Sequence, residues 1–167
     1  MRIAIDNCVL LNRANEVGQV IEAFLAIDQK FRPVELLITP TVLQELSAKY
    51  EMTEERRRLS LIALQSLLSW GIKPVNLVPV GHGIIERIAQ TIRDRGIVPQ
   101  EEVHDSCIIA EAAFCGCDML LSSDKHCWQD AGKDNLAALW EILADAHAAQ
   151  PQLAIFSPQH ISRFYTP

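Results

Sequence analysis

Short apolar segments alternate along this chain with longer segments of helical periodicity. The short segments occupy residues 2–6, 34–39, 75–80, 118–123 and 153–158. Alternation of this kind is typical of parallel sheets, because two parallel neighbouring strands need a crossover connection that a helix supplies. The sequence therefore predicts an α/β fold with a central, mainly parallel sheet.

The helical segments have apolar residues at spacings of three and four and recognisable ends. Thr39 and Pro40 are typical of a helix start, and Gly71 and Gly116 are typical of residues that follow a helix. The predicted helices cover residues 16–28, a segment that begins at residue 40, and residues 53–70, 82–95, 101–116 and 135–149. A turn or a helix is expected over residues 159–165. No internal repeat or linker interrupts this pattern, so residues 1–167 are expected to form a single domain.

Composition narrows the class of protein and its compartment. The chain has 167 residues, is 49% hydrophobic and has a net charge of −6, which is ordinary for a globular protein but repels nucleic acid. No apolar run approaches the roughly 20 residues that span a bilayer, and no signal peptide is evident, so we expect a cytoplasmic protein without a membrane partner. Cys115, Cys117, His126 and Cys127 match no common zinc spacing.

Four carboxylates are expected to meet at one edge of the predicted sheet. Asp6 ends the first strand and Asp124 follows the fourth, so both lie at the carboxyl edge, where open α/β sheets place their sites. Glu45 lies early in a helix that leaves this edge. Asp105 lies in the first turn of a helix that must begin there, because it leads back to the start of the fourth strand.

A cluster of four carboxylates is unfavourable unless a cation compensates the charge. Hard divalent ions prefer oxygen ligands, and Mg²⁺ or Mn²⁺ combines one or two carboxylates with waters and a substrate phosphate. Such an ion would also supply the positive charge that an acidic chain needs to bind a phosphodiester. The sequence therefore predicts a Mg²⁺ or Mn²⁺ site, with Asp6, Glu45, Asp105 and Asp124 as catalytic and metal-binding residues.

Each acid also has an ordinary structural interpretation. Asp6 and Asp124 have the character of helix caps, Glu45 that of an exposed helical acid, and Asp105 that of a partner for a helix dipole. The prediction therefore depends on their joint placement.

The residues around these acids resemble the PIN-domain family of metal-dependent ribonucleases over roughly residues 1–158. "IAIDNCVLL" is similar to the family's opening strand with its first acid, and "TPTVLQEL" to the helix that carries the second. The segment "HDSCIIAEAAFCGCDMLLSSDKH" resembles the family's third acid, its alanine-rich helix, the next strand and the last acid.

This resemblance implies a three-layer α/β/α sandwich and hydrolysis of RNA by a water that Mg²⁺ or Mn²⁺ activates. It also implies, as for VapC-type toxins, a homodimer silenced by a small antitoxin whose tail occupies the acidic groove. Ser122 falls where the family has a hydroxyl two residues before the last acid, and Asn7 can hydrogen-bond a metal-bound water; both are expected to support the acids. Cys8 departs from the family's usual hydroxyl residue and is expected to serve packing only.

Other polar residues near the acids are weaker candidates. Lys125 and the run Arg56–Arg58 are candidates for contacts with the RNA backbone or with a partner. His104 is not needed by a hard-cation site, Glu101 and Glu102 fit a helix dipole, and Asp118 should lie at the opposite edge of the sheet.

Two other functional classes remain open at this stage. The first is a PIN-like module that binds RNA or protein without cleavage. The other, which ranks well below both the nuclease and this module, is a phosphatase with an aspartyl nucleophile. Such an enzyme would usually carry a second Asp at the position of Cys8.

Overall fold

The computed structural model describes residues 1–48, 53–77, 79–125 and 133–165. The strands are β1 (Arg2–Ile5), β2 (Glu35–Ile38), β3 (Ile72–Pro74), β4 (Met119–Leu121) and β5 (Ala154–Phe156). The helices are α1 (Asn7–Ala14), α2 (Gly18–Lys30), α3 (Pro40–Ser47), α4 (Glu54–Ser66), α5 (Pro79–Asp94), α6 (Val103–Phe114), α7 (Lys133–Asp145) and α8 (Pro158–Tyr165).

All five strands are parallel and form one sheet in the order β3-β2-β1-β4-β5. Ile3 of the central strand lies opposite Leu36 of β2 and Met119 of β4. The β1 and β4 segments are almost completely buried, as expected for strands covered on both faces. The predicted parallel sheet is thus confirmed, and the chain is a three-layer α/β/α sandwich.

The strand order creates a switch point beside the central strand. The chain runs from β1 outwards through β2 to β3, and then returns to the other side of β1 to form β4. Connections from β1 and β4 therefore leave the carboxyl edge in opposite directions and open a crevice there. Asp6 immediately follows β1, and Ser122 immediately follows β4.

The third strand differs from the prediction. It covers Ile72–Pro74, whereas residues 75–80 were expected as the strand, and Pro79 begins α5. Gly71 has a φ of +71° and turns the chain directly from the end of the α4 region into the sheet. The last bond in this region joins Val75 N to Ile38 O at 3.0 Å, so pairing ends where the prediction began.

The remaining elements follow the prediction with small shifts at their ends. Gly116 has a φ of +70° after α6, as expected for a residue that follows a helix. The C-terminal segment is a helix, α8, which packs against α2. No helix is predicted from the sequence over Asn7–Ala14, where α1 begins directly after β1. Within the described residues, no helix has the length and apolar character needed to cross a membrane.

Candidate active site

Asp6 stands at the carboxyl end of the central strand and begins α1. Its backbone N–H donates to Leu121 O at 3.0 Å, which holds it to β4, and its side chain accepts from Asn7 N at 2.6 Å. Only 4% of its surface is exposed. Asp6 is therefore also the helix cap that the ordinary interpretation expected.

Ser122 and Cys8 hold the second oxygen of the Asp6 carboxyl. Ser122 Oγ donates to Asp6 Oδ2 at 2.6 Å, and Cys8 Sγ donates to the same oxygen at 3.0 Å. Ser122 Oγ also accepts from Asp124 N at 3.0 Å, so one buried hydroxyl connects two of the predicted acids. The expectation that Cys8 serves packing only is wrong, because its thiol takes a position that a hydroxyl would suit.

The protonation of this cluster follows from its burial. Burial raises the pKa of the Asp6 carboxyl above its ordinary value; the charge of Glu45 adds to the rise, and the bonds from Cys8, Ser122 and Asn7 oppose it. Burial and the neighbouring Asp6 also raise the pKa of the Cys8 thiol, so Cys8 remains a neutral donor. A divalent cation would reverse the cost of ionising Asp6.

Glu45 lies in α3 with one carboxylate oxygen against a histidine. Its Oε1 is 2.8 Å from His104 Nδ1, and the Glu45 side chain is only 17% exposed. His104 precedes Asp105 in the first turn of α6. Although the sequence assigned His104 no part in the site, it connects the second acid to the helix that carries the third.

Glu111 is a buried acid that sequence reasoning missed. It lies in α6, and its two oxygens accept from Thr41 N at 3.1 Å and from Thr41 Oγ1 at 2.9 Å. Thr39, the residue before α3, makes no side-chain capping bond, so Glu111 provides this contact from a different helix. The available signal was a charged residue within the apolar run "IIAEAAF".

These contacts bring the predicted residues into one cleft at the carboxyl edge. The cleft has a volume of about 460 Å³. Its lining includes all four predicted acids, the predicted Asn7, Cys8, and two residues that were not placed there, Asn12 and Glu102. Arg56 is the one Lys or Arg among the described lining residues. Asp118 accepts instead from Arg2 N at 2.8 Å at the opposite edge.

The donor chemistry of the cleft fits a hard cation that keeps much of its water. Within the described ranges, no three His, Cys, Asp or Glu side chains form a compact metal-holding group. Mg²⁺ commonly uses only one or two carboxylates directly, and the remaining acids then bind its waters. Asn7 Oδ1 is buried in this region with no hydrogen-bond partner in the described residues, a polar atom that a bound group would satisfy. Of the zinc candidates, His126 and Cys127 lie outside the described residues.

Comparisons with known proteins identify the fold. No family model matches the sequence, and no curated protein matches it. The structure of VapBC2 from Rickettsia felis bound to a DNA fragment from its promoter is similar, with a TM-score of 0.60 at 11% identity over 94% of this chain and 98% of that one. The structure of FitAB bound to an IR36 DNA fragment has a TM-score of 0.53 at 16% identity over 95% and 96% of the two chains.

Both of these structures are PIN-domain toxin–antitoxin complexes. The chain described here therefore has a VapC-like PIN fold, as the resemblance of its sequence implied. The structural similarity covers nearly the whole of this chain and nearly the whole of each of the two similar chains.

Proposed function

We propose that this protein is a Mg²⁺- or Mn²⁺-dependent endoribonuclease of the VapC type. The observation that carries the proposal is the meeting of Asp6, Glu45, Asp105 and Asp124, from four separate segments, in one cleft at the switch point of a parallel sheet. Four acids in one crevice without a cation would repel one another, and this placement is where α/β folds hold ligands.

The four acids would hold the ion, directly or through its waters. When bound, the ion polarises the phosphoryl group and acidifies a water at neutral pH. Hydrogen bonds from Ser122 and Cys8 orient one oxygen of the Asp6 carboxyl. The hydrogen bond from the Asp6 backbone N–H to β4 fixes the backbone of Asp6. Asn7, which also lines the cleft, would hydrogen-bond a metal-bound water through its side chain.

RNA cleavage in the cytoplasm, restrained by a small antitoxin, is the biological role we propose. The support is the similarity in fold to two toxin–antitoxin complexes, together with the acidic cleft into which a basic antitoxin tail would fit. We also propose a homodimer, as the family resemblance implies.

A small neighbouring reading frame whose product co-purifies with this chain and suppresses cleavage would support the toxin role. A chain that is harmless when it is expressed by itself would oppose that role.

The test of catalysis is cleavage of single-stranded RNA in Mn²⁺. We expect the wild type to cleave, EDTA to stop the reaction, and Asp6→Asn and Asp105→Asn to abolish it while the fold persists by circular dichroism. Cleavage that survives EDTA and both substitutions would refute the proposal.

The second candidate is a module that binds RNA or protein without cleaving. It is favoured by the lack of a compact three-ligand group in the described part of the chain. The absence of Mn²⁺ binding at millimolar concentration, with RNA binding retained, would favour this candidate.

A further inference from the structure

A small pocket adjoins the acidic cleft and differs from it in chemical character. Its volume is about 280 Å³, and it shares Asn12 with the cleft. The described residues that line it include Ser123 and Lys125, which follow β4, and Ser157 and Gln159, where β5 gives way to α8. No Asp or Glu is among them, whereas five line the neighbouring cleft.

The polar side chains of this pocket are neutral amides and hydroxyls and one cation. Asn12 Nδ2 lies 3.5 Å from Ser123 Oγ, which connects α1 to the segment after β4. Lys125 is exposed, and no described residue forms an ion pair with it. The first residues of α2 and α8 also line the pocket, and the positive ends of helix dipoles favour an anion.

An RNA strand needs positive charge near several of its phosphates, and the acidic cleft supplies little. A cation held by the acids would neutralise the scissile phosphate, but the adjacent phosphates would still approach a chain with a net charge of −6. Arg56, within the cleft, and Lys125, in the adjoining pocket, are the Lys and Arg residues among the described lining residues of these two cavities. Asn12 lines both cavities, so the two lie side by side.

We propose that the pocket of Asn12, Ser123, Lys125 and Gln159 binds the phosphate next to the scissile one, and that Arg56 contacts the backbone within the cleft. The inference rests on the proposed nuclease function and specifies its substrate as single-stranded RNA that extends beyond the cleaved bond. Lys125 donates to the phosphate from its ammonium, and Asn12 and Gln159 supply neutral amide donors. Val17 and Val20 give the pocket an apolar wall against the sugar or base.

The test compares Lys125→Ala with Lys30→Ala, which removes the same charge from an exposed lysine at the end of α2, before the start of β2. Lys125→Ala should raise KM for a single-stranded RNA oligonucleotide about 5- to 10-fold with kcat within about twofold, as expected for one lost phosphate contact. Arg56→Ala should act in the same direction. The salt dependence of binding should fall by about 0.7 in log–log slope for Lys125→Ala. Lys30→Ala should match the wild type.

A dinucleoside monophosphate separates a lost subsite from general damage to the fold. It has only the scissile phosphate, so Lys125→Ala and the wild type should cleave it at equal rates. An equal loss on both substrates would overturn the proposal, as would an unchanged KM for the longer RNA.

The failure of this inference is distinguishable from failure of the nuclease function. If the wild type cleaves and Lys125→Ala behaves like Lys30→Ala, the subsite is wrong and the nuclease stands. If the wild type does not cleave, fluorescence anisotropy with the same oligonucleotide decides: weaker binding and a smaller salt slope for Lys125→Ala support the subsite, and binding equal to that of Lys30→Ala refutes it.

Discussion

Both edges of the sheet carry acidic residues, but the partners of these acids differ between the amino edge and the carboxyl edge. At the amino edge, Asp118 accepts from Arg2 N at 2.8 Å and from Gln150 Nε2 at 3.1 Å. Glu35 lies 3.1 Å from Arg2 Nε and 3.8 Å from Lys73 Nζ. Each of these acids therefore has partners within the protein, and their arrangement is that of a structural edge.

At the carboxyl edge, the cleft has five acids and one guanidinium among its described lining residues. Asp6 is more deeply buried than either acid of the opposite edge, yet its hydrogen-bond donors are a thiol, a hydroxyl and a backbone amide, all neutral. A deeply buried carboxylate that is held only by neutral donors is one that a bound cation would stabilise. The comparison teaches that the count of acids is uninformative until their partners are known.

The largest effect is expected from exchanging one acid for its amide at each edge. Asp6→Asn should lower cleavage by about 10³-fold, because an amide cannot replace a carboxylate at the cation. It should also cost about 1–2 kcal/mol of stability, because the amide NH₂ would face a donor that the carboxylate accepts from. Asp118→Asn should leave cleavage within about twofold and cost about 1 kcal/mol of stability. Rate assays and urea unfolding measure both. Similar losses of cleavage in the two variants would break the distinction between the edges.

A smaller loss is expected when the contact between α6 and α3 is weakened. Glu111→Gln keeps the side-chain shape but leaves one donor of Thr41 poorly matched, so we expect a cost of about 1–2 kcal/mol. Since α3 carries Glu45 and α6 carries Asp105, cleavage should fall about 10- to 100-fold, with a higher Mn²⁺ concentration for half-maximal rate. Glu141→Gln, at an exposed position in α7, is the matched control. A loss of stability without a changed Mn²⁺ requirement would make Glu111 a purely structural residue.

The smallest effect is expected from the hydroxyl beneath Asp6. Ser122→Ala removes a bond that lowers the pKa of Asp6, so that pKa should rise further. Activity requires the ionised carboxylate and falls as pH drops through this pKa, so the acid limb of the pH–rate profile should move to higher pH. We expect a loss of about tenfold near neutral pH. Ser69→Ala, which removes an exposed hydroxyl bonded to Ser66 O, should leave the profile in place; an unmoved acid limb in Ser122→Ala would contradict the assigned role.

Features that follow from strand order and helix direction were predictable from the sequence. Asp6 and Asp124 adjoin the ends of buried strands, and the alternation of elements is enough to place both at one edge. Residues 75–80 misled the prediction because "VNLVPV" is a short, largely apolar run of the kind that forms strands. The turn at Gly71 brings Ile72, and not Val75, into register beside β2. Periodicity measures a preference, and pairing depends on where the preceding helix ends.

Contacts between side chains from distant segments were beyond the reach of sequence reasoning. The Cys8 thiol lies 3.6 Å from Ser122 Oγ, which comes 114 positions later in the chain. Glu111 of α6 reaches Thr41 of α3, from which it is 70 positions away. Neither distance is encoded in local spacing. His104 was set aside because a hard-cation site does not need it, but its contact with Glu45 depends on the approach of α3 to α6.

Binding of Mn²⁺ to the nucleic-acid-free protein tests the central claim most directly, because it does not depend on the correct RNA. At about 100 times its dissociation constant, a bound ion stabilises the fold by about 2.7 kcal/mol, or about 5–10 °C in Tm for a domain of this size. We predict that Mn²⁺ raises the Tm of the wild type and of Asp118→Asn by such an amount and leaves that of Asp6→Asn unchanged. No shift in the wild type, or an equal shift in Asp6→Asn, would contradict the assignment of a cation site to the carboxyl edge.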